Sequence, residues 1–195
     1  MHKGILQNEI FYCNHLGKSN YDEDDIKEFY VKENSGKGLE NYLRYYAFPD
    51  EDNSIMRTYM VRDVRSSELV SYFSLKAGLI SLNETEISGK LEFDTLPGVE
   101  LANFAVNSRY LEKHCNMKGI GSVVFGDFVR PIITDVAKSV GVKMIYIFAL
   151  PYERLIDTYK TYGFLRLSIE SEKALHIRLK PSYDNGCIFM YQQLQ

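Results

Sequence analysis

Lys118-Gly119-Ile120-Gly121-Ser122 decides the fold, because this stretch joins a strand pattern to a helix pattern. Before it, residues 99–106 read Val-Glu-Leu-Ala-Asn-Phe-Ala-Val, which predicts a central strand. After it, apolar residues recur at helical spacing until Gly141, and they include Val124, Phe128, Ile132 and Val136. The nearly all-apolar residues 142–150 then predict a buried parallel strand. A strand, a helix and a parallel strand form one crossover unit, so we expect a mixed α/β fold.

Outside this unit the pattern predicts further elements of one domain over residues 1–195. We expect a helical region to about residue 50, with a break at residues 34–38 where Asn, Ser and Gly cluster. The other predicted elements are strands at 54–62 and 68–80, a long loop at 83–98, an irregular stretch at 107–118, a short helix from Pro151 to Gly163, and strands at 164–168 and 187–192.

The glycine-containing stretch has the chemistry of an anion site. A helix N-terminus presents free backbone N–H groups and a partial positive charge, and glycine lets a phosphate approach the backbone. Gly119-x-Gly121 lacks the third glycine of a dinucleotide fingerprint, and the Lys-Ser/Thr pair of a Walker A loop is absent. A helix start that needs small residues for packing would give the same pattern, so the motif alone leaves both interpretations open.

Two motifs together resemble the GNAT superfamily of N-acetyltransferases. In that family a strand ends in Val and is followed by Gln/Arg-x-x-Gly-x-Gly/Ala at the start of a helix. This sequence has Val106 and then Asn116-Met-Lys-Gly-Ile-Gly121. The family also carries a Tyr four residues before Gly-Phe, which Tyr159, Gly163 and Phe164 match. The resemblance covers about residues 68–167, and it implies a central mixed sheet flanked by helices.

A looser resemblance links the chain to the subfamily that includes toxin acetyltransferases of aminoacyl-tRNA. It rests on Tyr72-Phe-Ser-Leu-Lys-Ala-Gly78, on Leu96-Pro-Gly98 and on Leu101-Ala-Asn-Phe-Ala-Val106. Residues 106–119 form a longer connection than is common in the superfamily.

The resemblance implies acetyl-coenzyme A as cosubstrate, with no metal. Its pyrophosphate would lie on backbone N–H groups of Met117, Lys118, Gly119, Ile120, Gly121 and Ser122. Its pantetheine arm would run beside Phe104, Ala105 and Val106, and the Val106 N–H would polarise the acyl carbonyl. Tyr159 would protonate the departing thiolate, and Glu100 would act as general base through water.

Charge and cysteine content limit the other classes of function. The net charge is −3, which argues against a nucleic-acid binder that relies on bulk charge. Residues 106–160 hold eight Lys/Arg and five Asp/Glu, a local charge of +3 that leaves −6 for the remainder. The odd, scattered Cys13, Cys115 and Cys187 fit a reducing cytoplasm, and the histidines show no metal-ligand spacing. No apolar run approaches the ~20 residues of a membrane span, so we expect no membrane partner.

The sequence therefore predicts an N-acetyltransferase that moves an acetyl group from acetyl-coenzyme A to a primary amine by direct attack. Two alternatives stay open. One is toxin-type acetylation of aminoacyl-tRNA, which the acidic overall charge disfavours and the basic segment at 106–160 favours. The other is a non-catalytic coenzyme A-binding or regulatory module. The sequence leaves the acyl acceptor and a homodimer undetermined.

Overall fold

The computed structural model describes residues 5–87, 90–178 and 186–194. Its strands are β1 Leu6–Gln7, β2 Phe11–His15, β3 Arg57–Asp63, β4 Leu69–Ile87, β5 Lys90–Val106, β6 Met144–Ala149, β7 Leu165–Arg166 and β8 Ile188–Gln193. Its α-helices are α1 Asp22–Glu28, α2 Lys37–Asn41, α3 Ala47–Asp52, α4 Ser108–Lys113, α5 Ile120–Val124, α6 Arg130–Ser139, α7 Glu153–Thr161 and α8 Ile169–Arg178. A 3₁₀ turn at Asn34–Gly36 and π-helical segments at Tyr42–Tyr46 and Phe125–Val129 complete the helical elements of the described chain.

The strands form one mixed sheet in the order β1-β2-β3-β4-β5-β6-β8-β7. The β5–β6 pair is parallel, as the crossover pattern predicts, whereas the β1–β2, β2–β3, β3–β4, β6–β8 and β7–β8 pairs are antiparallel. With its flanking helices this is the mixed α/β class expected from the sequence. The chain divides into two compact units, Met1–Lys76 with Leu101–Ile132 (unit 1) and Ala77–Glu100 with Ile133–Gln195 (unit 2).

The core of unit 1 packs the N-terminal helices on one face of β3, β4 and the end of β5. Phe29 meets Tyr72 edge-on with 5.2 Å between ring centroids. Burial of such apolar side chains is the main favourable contribution to folding. The buried cluster consists of Leu16, Ile26, Phe29, Leu43, Ala47, Met60, Leu69, Tyr72 and Ala105.

A buried ion pair ties helix α1 to strand β3 in the same unit. The guanidinium of Arg62, only 1% exposed, donates to Asp22 Oδ1 at 2.6 Å and to Asp25 Oδ2 at 2.5 Å. The second oxygen of Asp22 accepts the backbone N–H groups of Gly17 and Ser19 at 2.7 and 3.2 Å. Both oxygens of this carboxylate therefore accept hydrogen bonds.

The core of unit 2 surrounds strands β6 and β8. Its aromatic contacts include the one between Phe148 and Phe189, whose ring centroids lie 5.5 Å apart. Helix α8 contributes Leu175 to this core. The cluster consists of Ile80, Met144, Tyr146, Leu175 and Phe189, with Leu96, Phe148, Leu167 and Tyr191 packed beside it.

Four sequence predictions are wrong in detail, and one helix is missing from them. The N-terminal region begins with strands β1 and β2 instead of helix, and the break in its helices lies at residues 29–33 before the 3₁₀ turn. The predicted loop at 83–98 belongs largely to β4 and β5, and Pro97 lies within β5, where its carbonyl accepts the Lys143 N–H at 2.9 Å. The irregular stretch at 107–118 contains α4, and α8 was not predicted.

Candidate functional site

At the end of strand β5, in unit 1, the backbone N–H and C=O groups of successive residues face opposite edges of the strand. The Ala105 carbonyl accepts the Ser71 hydroxyl at 2.7 Å, and the Asn107 N–H donates to the Val70 carbonyl at 2.8 Å. Both groups therefore face β4. Because successive residues of a strand alternate in the direction of their N–H and C=O groups, Phe104 and Val106 direct theirs to the opposite edge. A ligand strand beside β5 would pair with Phe104 and Val106, while Ala105 is turned away.

The connection after β5 is a capped helix. The Asn107 side chain accepts the Arg109 N–H at 3.1 Å and donates to the Leu69 carbonyl at 2.9 Å. An Asn at this position satisfies one of the free N–H groups at the start of α4. The long 106–119 connection therefore contains regular structure, and the Asn107 side chain fixes the start of its helix.

A polar network holds the far end of α4 against the β3–β4 turn. The buried Tyr110 hydroxyl donates to Asp63 Oδ2 at 2.6 Å, and the Tyr110 ring stacks on His114 with centroids 4.2 Å apart. Lys113 and His114 both bind the Glu68 carboxylate, the latter at 3.3 Å. The hydrogen bond from Lys113 is the largest of the causes that hold the pKa of Glu68 below its ordinary value.

The network reaches the first residue of the candidate phosphate loop, which we define as residues 117–122. The Met117 N–H donates to the His114 carbonyl at 2.9 Å, and the Met117 sulfur lies 3.7 Å from the Tyr110 hydroxyl. The loop is therefore positioned by β3 and β4 through α4, in addition to its covalent link to β5.

Tyr110→Phe is expected to lower the free energy of unfolding by about 1.5–3 kcal/mol at pH 7, because it deletes a buried hydrogen bond to a charged group. Burial raises the pKa of Asp63, but the hydrogen bonds from Tyr110, Ser66 and Arg65 outweigh it and the pKa lies below its ordinary value. A lowered carboxyl pKa stabilises the fold above the unfolded value, and this contribution is lost as the pH falls through the folded value. Urea unfolding at several pH values should therefore show the variant's deficit shrinking below about pH 4.

An unchanged deficit across that range would show that the Tyr110 hydroxyl does not act through the Asp63 carboxylate. Tyr21→Phe is the matched control, since the Tyr21 side chain is exposed and its loss of a hydroxyl should leave unfolding unaltered.

The candidate phosphate loop starts a helix at a glycine with left-handed backbone. Gly119 adopts φ 71°, the left-handed region that glycine enters without strain, and the helix begins at Ile120. An added Cβ at Gly119 would meet no atom within 4 Å, so the backbone angle and not space requires glycine. Lys118, Gly119 and Ser122 are exposed. The start of the helix is accordingly open to an anion.

The helix that starts here runs without interruption to Ser139, through the π-helical segment Phe125–Val129. Pro131 lies just after that segment. Proline lacks an N–H and its ring collides with the carbonyl four residues earlier, and a π-helical turn relieves this by widening the preceding turn. The helix therefore continues past Pro131.

Tyr159 lies in unit 2 on the buried face of α7. Its ring meets Phe164 and Tyr162 edge-on, with centroids 5.6 and 6.0 Å away. Gly163, at φ 91°, ends the helix, and the Phe164 N–H returns to the Tyr159 carbonyl at 3.1 Å. Burial raises the pKa of the Tyr159 hydroxyl, so it stays protonated at neutral pH.

Glu100 also lies in unit 2, at the last residue pair of the β5–β6 ladder. It is aligned with Tyr146, whose hydroxyl donates to Glu100 Oε2 at 3.3 Å. Tyr146 was not among the site residues predicted from the sequence, although a tyrosine inside an otherwise apolar strand signals that its hydroxyl needs a partner. Tyr110 and Asp63 were not predicted either, and the sequence carries no comparable signal for them.

The structure thus places residues 104–106 and 117–122 in unit 1, and Glu100 and Tyr159 in unit 2. Within residues 5–87, 90–178 and 186–194, no group of three or more His, Cys, Asp or Glu side chains is arranged to hold a metal ion. No helix in this part of the chain is long and apolar enough to cross a membrane.

No protein-family model matches the sequence, and no curated protein matches it significantly. Solved structures do resemble the fold. A Tyr-to-Phe variant of KacT superposes with a TM-score of 0.66 at 17% identity, over 95% of each chain. A Tyr-to-Phe variant of the toxin AtaT, bound to the C-terminus of the antitoxin AtaR and acetyl-CoA, gives 0.62 at 18% identity, over 94% of this chain and 92% of that one. AtaT complexed with acetyl-methionyl-tRNAfMet gives 0.62 at 17% identity, over 92% and 93%. The protein therefore has the GNAT fold, in the form that the toxins AtaT and KacT share.

Proposed function

We propose that the protein is an N-acetyltransferase that transfers the acetyl group of acetyl-coenzyme A to a primary amine. The observation that carries the proposal is the exposed helix start at Gly119, which follows β5 in unit 1 and which the α4 network ties to β3 and β4. In the GNAT fold this is the position at which a strand edge and a helix N-terminus can both face one extended anionic ligand. The acetyl-CoA bound in the AtaT structure supports the same choice of cosubstrate.

The residues of unit 1 supply binding and polarisation. The Met117 N–H already donates to the His114 carbonyl, so the backbone N–H groups of residues 118–122 would hold the pyrophosphate. Those of Phe104 and Val106 would pair with the pantetheine amides. The Val106 N–H would donate to the acyl oxygen as negative charge develops on it. Such fixed donors need no reorganisation during the reaction, which is why they lower the barrier.

The transfer itself needs one base and one donor. The amine gives a proton to Glu100 through water, its nitrogen bonds to the acyl carbon, and the carbon–sulfur bond breaks. Tyr159 donates a hydrogen bond to the departing sulfur. Because burial raises the pKa of Tyr159, full proton transfer to a thiolate is unfavourable, and the hydroxyl acts by stabilising the developing charge. The Tyr-to-Phe variants of AtaT and KacT favour a functional tyrosine in this fold.

Aminoacyl-tRNA is the second candidate acceptor, because AtaT has been captured with acetyl-methionyl-tRNAfMet. An aminoacyl group presents a free α-amine, which is the chemistry that the proposed transfer requires. The local charge of +3 in residues 106–160 would favour a phosphate backbone, whereas the net charge of −3 opposes it. Small free amines make no such electrostatic demand.

A calorimetric titration with acetyl-coenzyme A tests the cosubstrate, with free coenzyme A as reference. Transfer of radiolabelled acetyl groups is then measured to two acceptor sets, total aminoacylated tRNA and a mixture of free amino acids with spermidine. Micromolar binding with transfer to either set supports the proposal. Binding without transfer to either set would favour a regulatory coenzyme A-binding module, and absence of binding would refute the proposal.

Gly121→Glu is expected to weaken acetyl-coenzyme A binding at least about 100-fold, because juxtaposing like charges costs several kcal/mol and each 1.4 kcal/mol is tenfold. The new carboxylate would stand in the first turn of the helix, where the pyrophosphate should lie. Calorimetry measures the loss directly.

Gly126→Glu is the matched control, since Gly126 is an exposed position of the same helical run and an added Cβ there would meet nothing within 4 Å. It adds the same charge beyond the first turn and should bind acetyl-coenzyme A nearly as the wild type does. Equal affinity for acetyl-coenzyme A in both variants would show that the candidate phosphate loop does not bind the pyrophosphate.

A further inference from the structure

Tyr146 is a buried tyrosine that fits its position only because neighbouring residues leave space for its side chain. It lies on β6 within unit 2, opposite Glu100 in the parallel ladder. Its ring is enclosed by Phe148 and Phe189, with centroids 6.1 and 5.8 Å away. Its hydroxyl reaches Glu100 Oε2 at 3.3 Å.

Two glycines make that room. A Cβ added to Gly78 on β4 would stand 1.9 Å from the Tyr146 hydroxyl oxygen. One added to Gly98 on β5 would stand 2.9 Å from Met144 Cγ and 3.0 Å from the Tyr146 ring. Neither glycine has a backbone angle that demands glycine, so the requirement comes from space alone. Strands β4 and β5 thus each carry a glycine at the point where the Tyr146 phenol packs on them.

The hydroxyl is a donor at neutral pH. Burial raises the pKa of Tyr146, and the nearby Glu100 carboxylate adds to that effect. A neutral phenol in an apolar surrounding gains from an anionic acceptor, and hydrogen bonds to charged acceptors are the stronger kind. The pair therefore restrains the Glu100 carboxylate from one side.

We infer that Tyr146 is a positioning residue for Glu100, and that Gly78 and Gly98 exist to let it reach the carboxylate. The inference rests on the proposed function, in which Glu100 takes the proton of the acceptor amine. Tyr146 contacts neither the amine nor acetyl-coenzyme A in this arrangement. It fixes the rotamer of the base, so that the proton moves from the amine nitrogen through water to one defined carboxylate.

The test compares Tyr146→Phe, Glu100→Gln, the double variant and Gly78→Ala, using whichever of the two acceptor sets the wild type acetylates. Tyr146→Phe keeps the ring and should lower kcat about tenfold, because small misplacements of reacting groups cost that much or more. The Kd of acetyl-coenzyme A should not change. In the Glu100→Gln background the same substitution should cause no further loss, since interacting residues are non-additive.

Gly78→Ala should reproduce the kcat defect while the hydroxyl is still present, because the new methyl group displaces it. Gly141→Ala is the control, as a Cβ there meets nothing within 4 Å. Thermal unfolding of each variant separates misfolding from misplacement. Wild-type kcat in Tyr146→Phe, or losses that multiply in the double variant, would overturn the inference while the acetyltransferase stands. An unaffected Glu100→Gln would overturn it by removing the base. A wild type inactive towards both acceptor sets would refute the proposed function, and the inference with it.

Discussion

Tyr159→Phe should reduce kcat about 100- to 1,000-fold, the usual cost of removing one hydrogen-bond donor from a developing negative charge. The substitution removes one oxygen and keeps a ring that packs edge-on against Phe164, so the fold should persist. Affinity for acetyl-coenzyme A should stay close to that of the wild type, because the proposed binding groups lie in residues 104–106 and 117–122. Steady-state transfer assays and calorimetry on the same preparation measure both quantities.

Tyr162→Phe is the matched control, since it makes the same chemical change three residues along the chain, on a tyrosine to which we assign no role in the reaction. It should retain most of kcat. If Tyr159→Phe were as active as this control, the charge on the departing sulfur would have to be stabilised by another group. If Tyr159→Phe lost acetyl-coenzyme A binding in parallel with activity, Tyr159 would belong to the binding site and not to the chemical step.

Asp22→Asn should lower the free energy of unfolding by about 3–5 kcal/mol, the cost of removing one partner from a buried ion pair. Asp22 is 2% exposed and accepts Arg62 on one oxygen and the N–H groups of Gly17 and Ser19 on the other. An asparagine has one acceptor and one donor end. Whichever way it turns, its NH₂ group faces other donors, so a buried hydrogen bond is lost as well as the charge.

Urea unfolding measures this effect, and Asp24→Asn in the same helix is the control. Asp24 is 84% exposed and pairs only with Lys27 among the described residues, a surface interaction worth less than about 1 kcal/mol. If Asp22→Asn fails to accumulate, Asp25→Asn gives a milder test, because Asp25 is the more exposed partner of Arg62. Stability equal to that of Asp24→Asn in both variants would show that the buried pair contributes nothing to the fold.

The crossover unit is the part of the fold that local pattern determines. Gly119 and Gly163 mark helix boundaries because left-handed backbone is cheap only for glycine, and the structure has both at positive φ. The nearly all-apolar run at 142–150 contains strand β6, because residues buried on both faces lose the alternation of a surface strand. These signals lie within a few residues of the elements that they define, which is why the sequence reveals them.

The sequence pattern predicts the wrong structure where polar residues lie in a sheet or in a short helix. Residues 83–98 are polar and carry Gly89, Pro97 and Gly98, so they predict a loop, yet they lie largely in β4 and β5. Gly98 is in a strand because the ring of Tyr146 needs the space where its side chain would be. Strand propensity depends on such neighbours, and a local window does not contain them.

The amino-acid sequence by itself determined the mixed α/β class and two motifs. One is the strand–loop–helix at residues 117–122, which we propose as an anion site, and the other is Tyr159 with Gly163 and Phe164. The tertiary structure alone decided what holds those residues. Tyr110 meets Asp63 across 47 residues, Tyr146 meets Glu100 across 46, and Arg62 meets Asp22 across 40. Each of these contacts is a hydrogen bond whose value comes from burial, and burial is a property of the packed chain that no short stretch of sequence encodes.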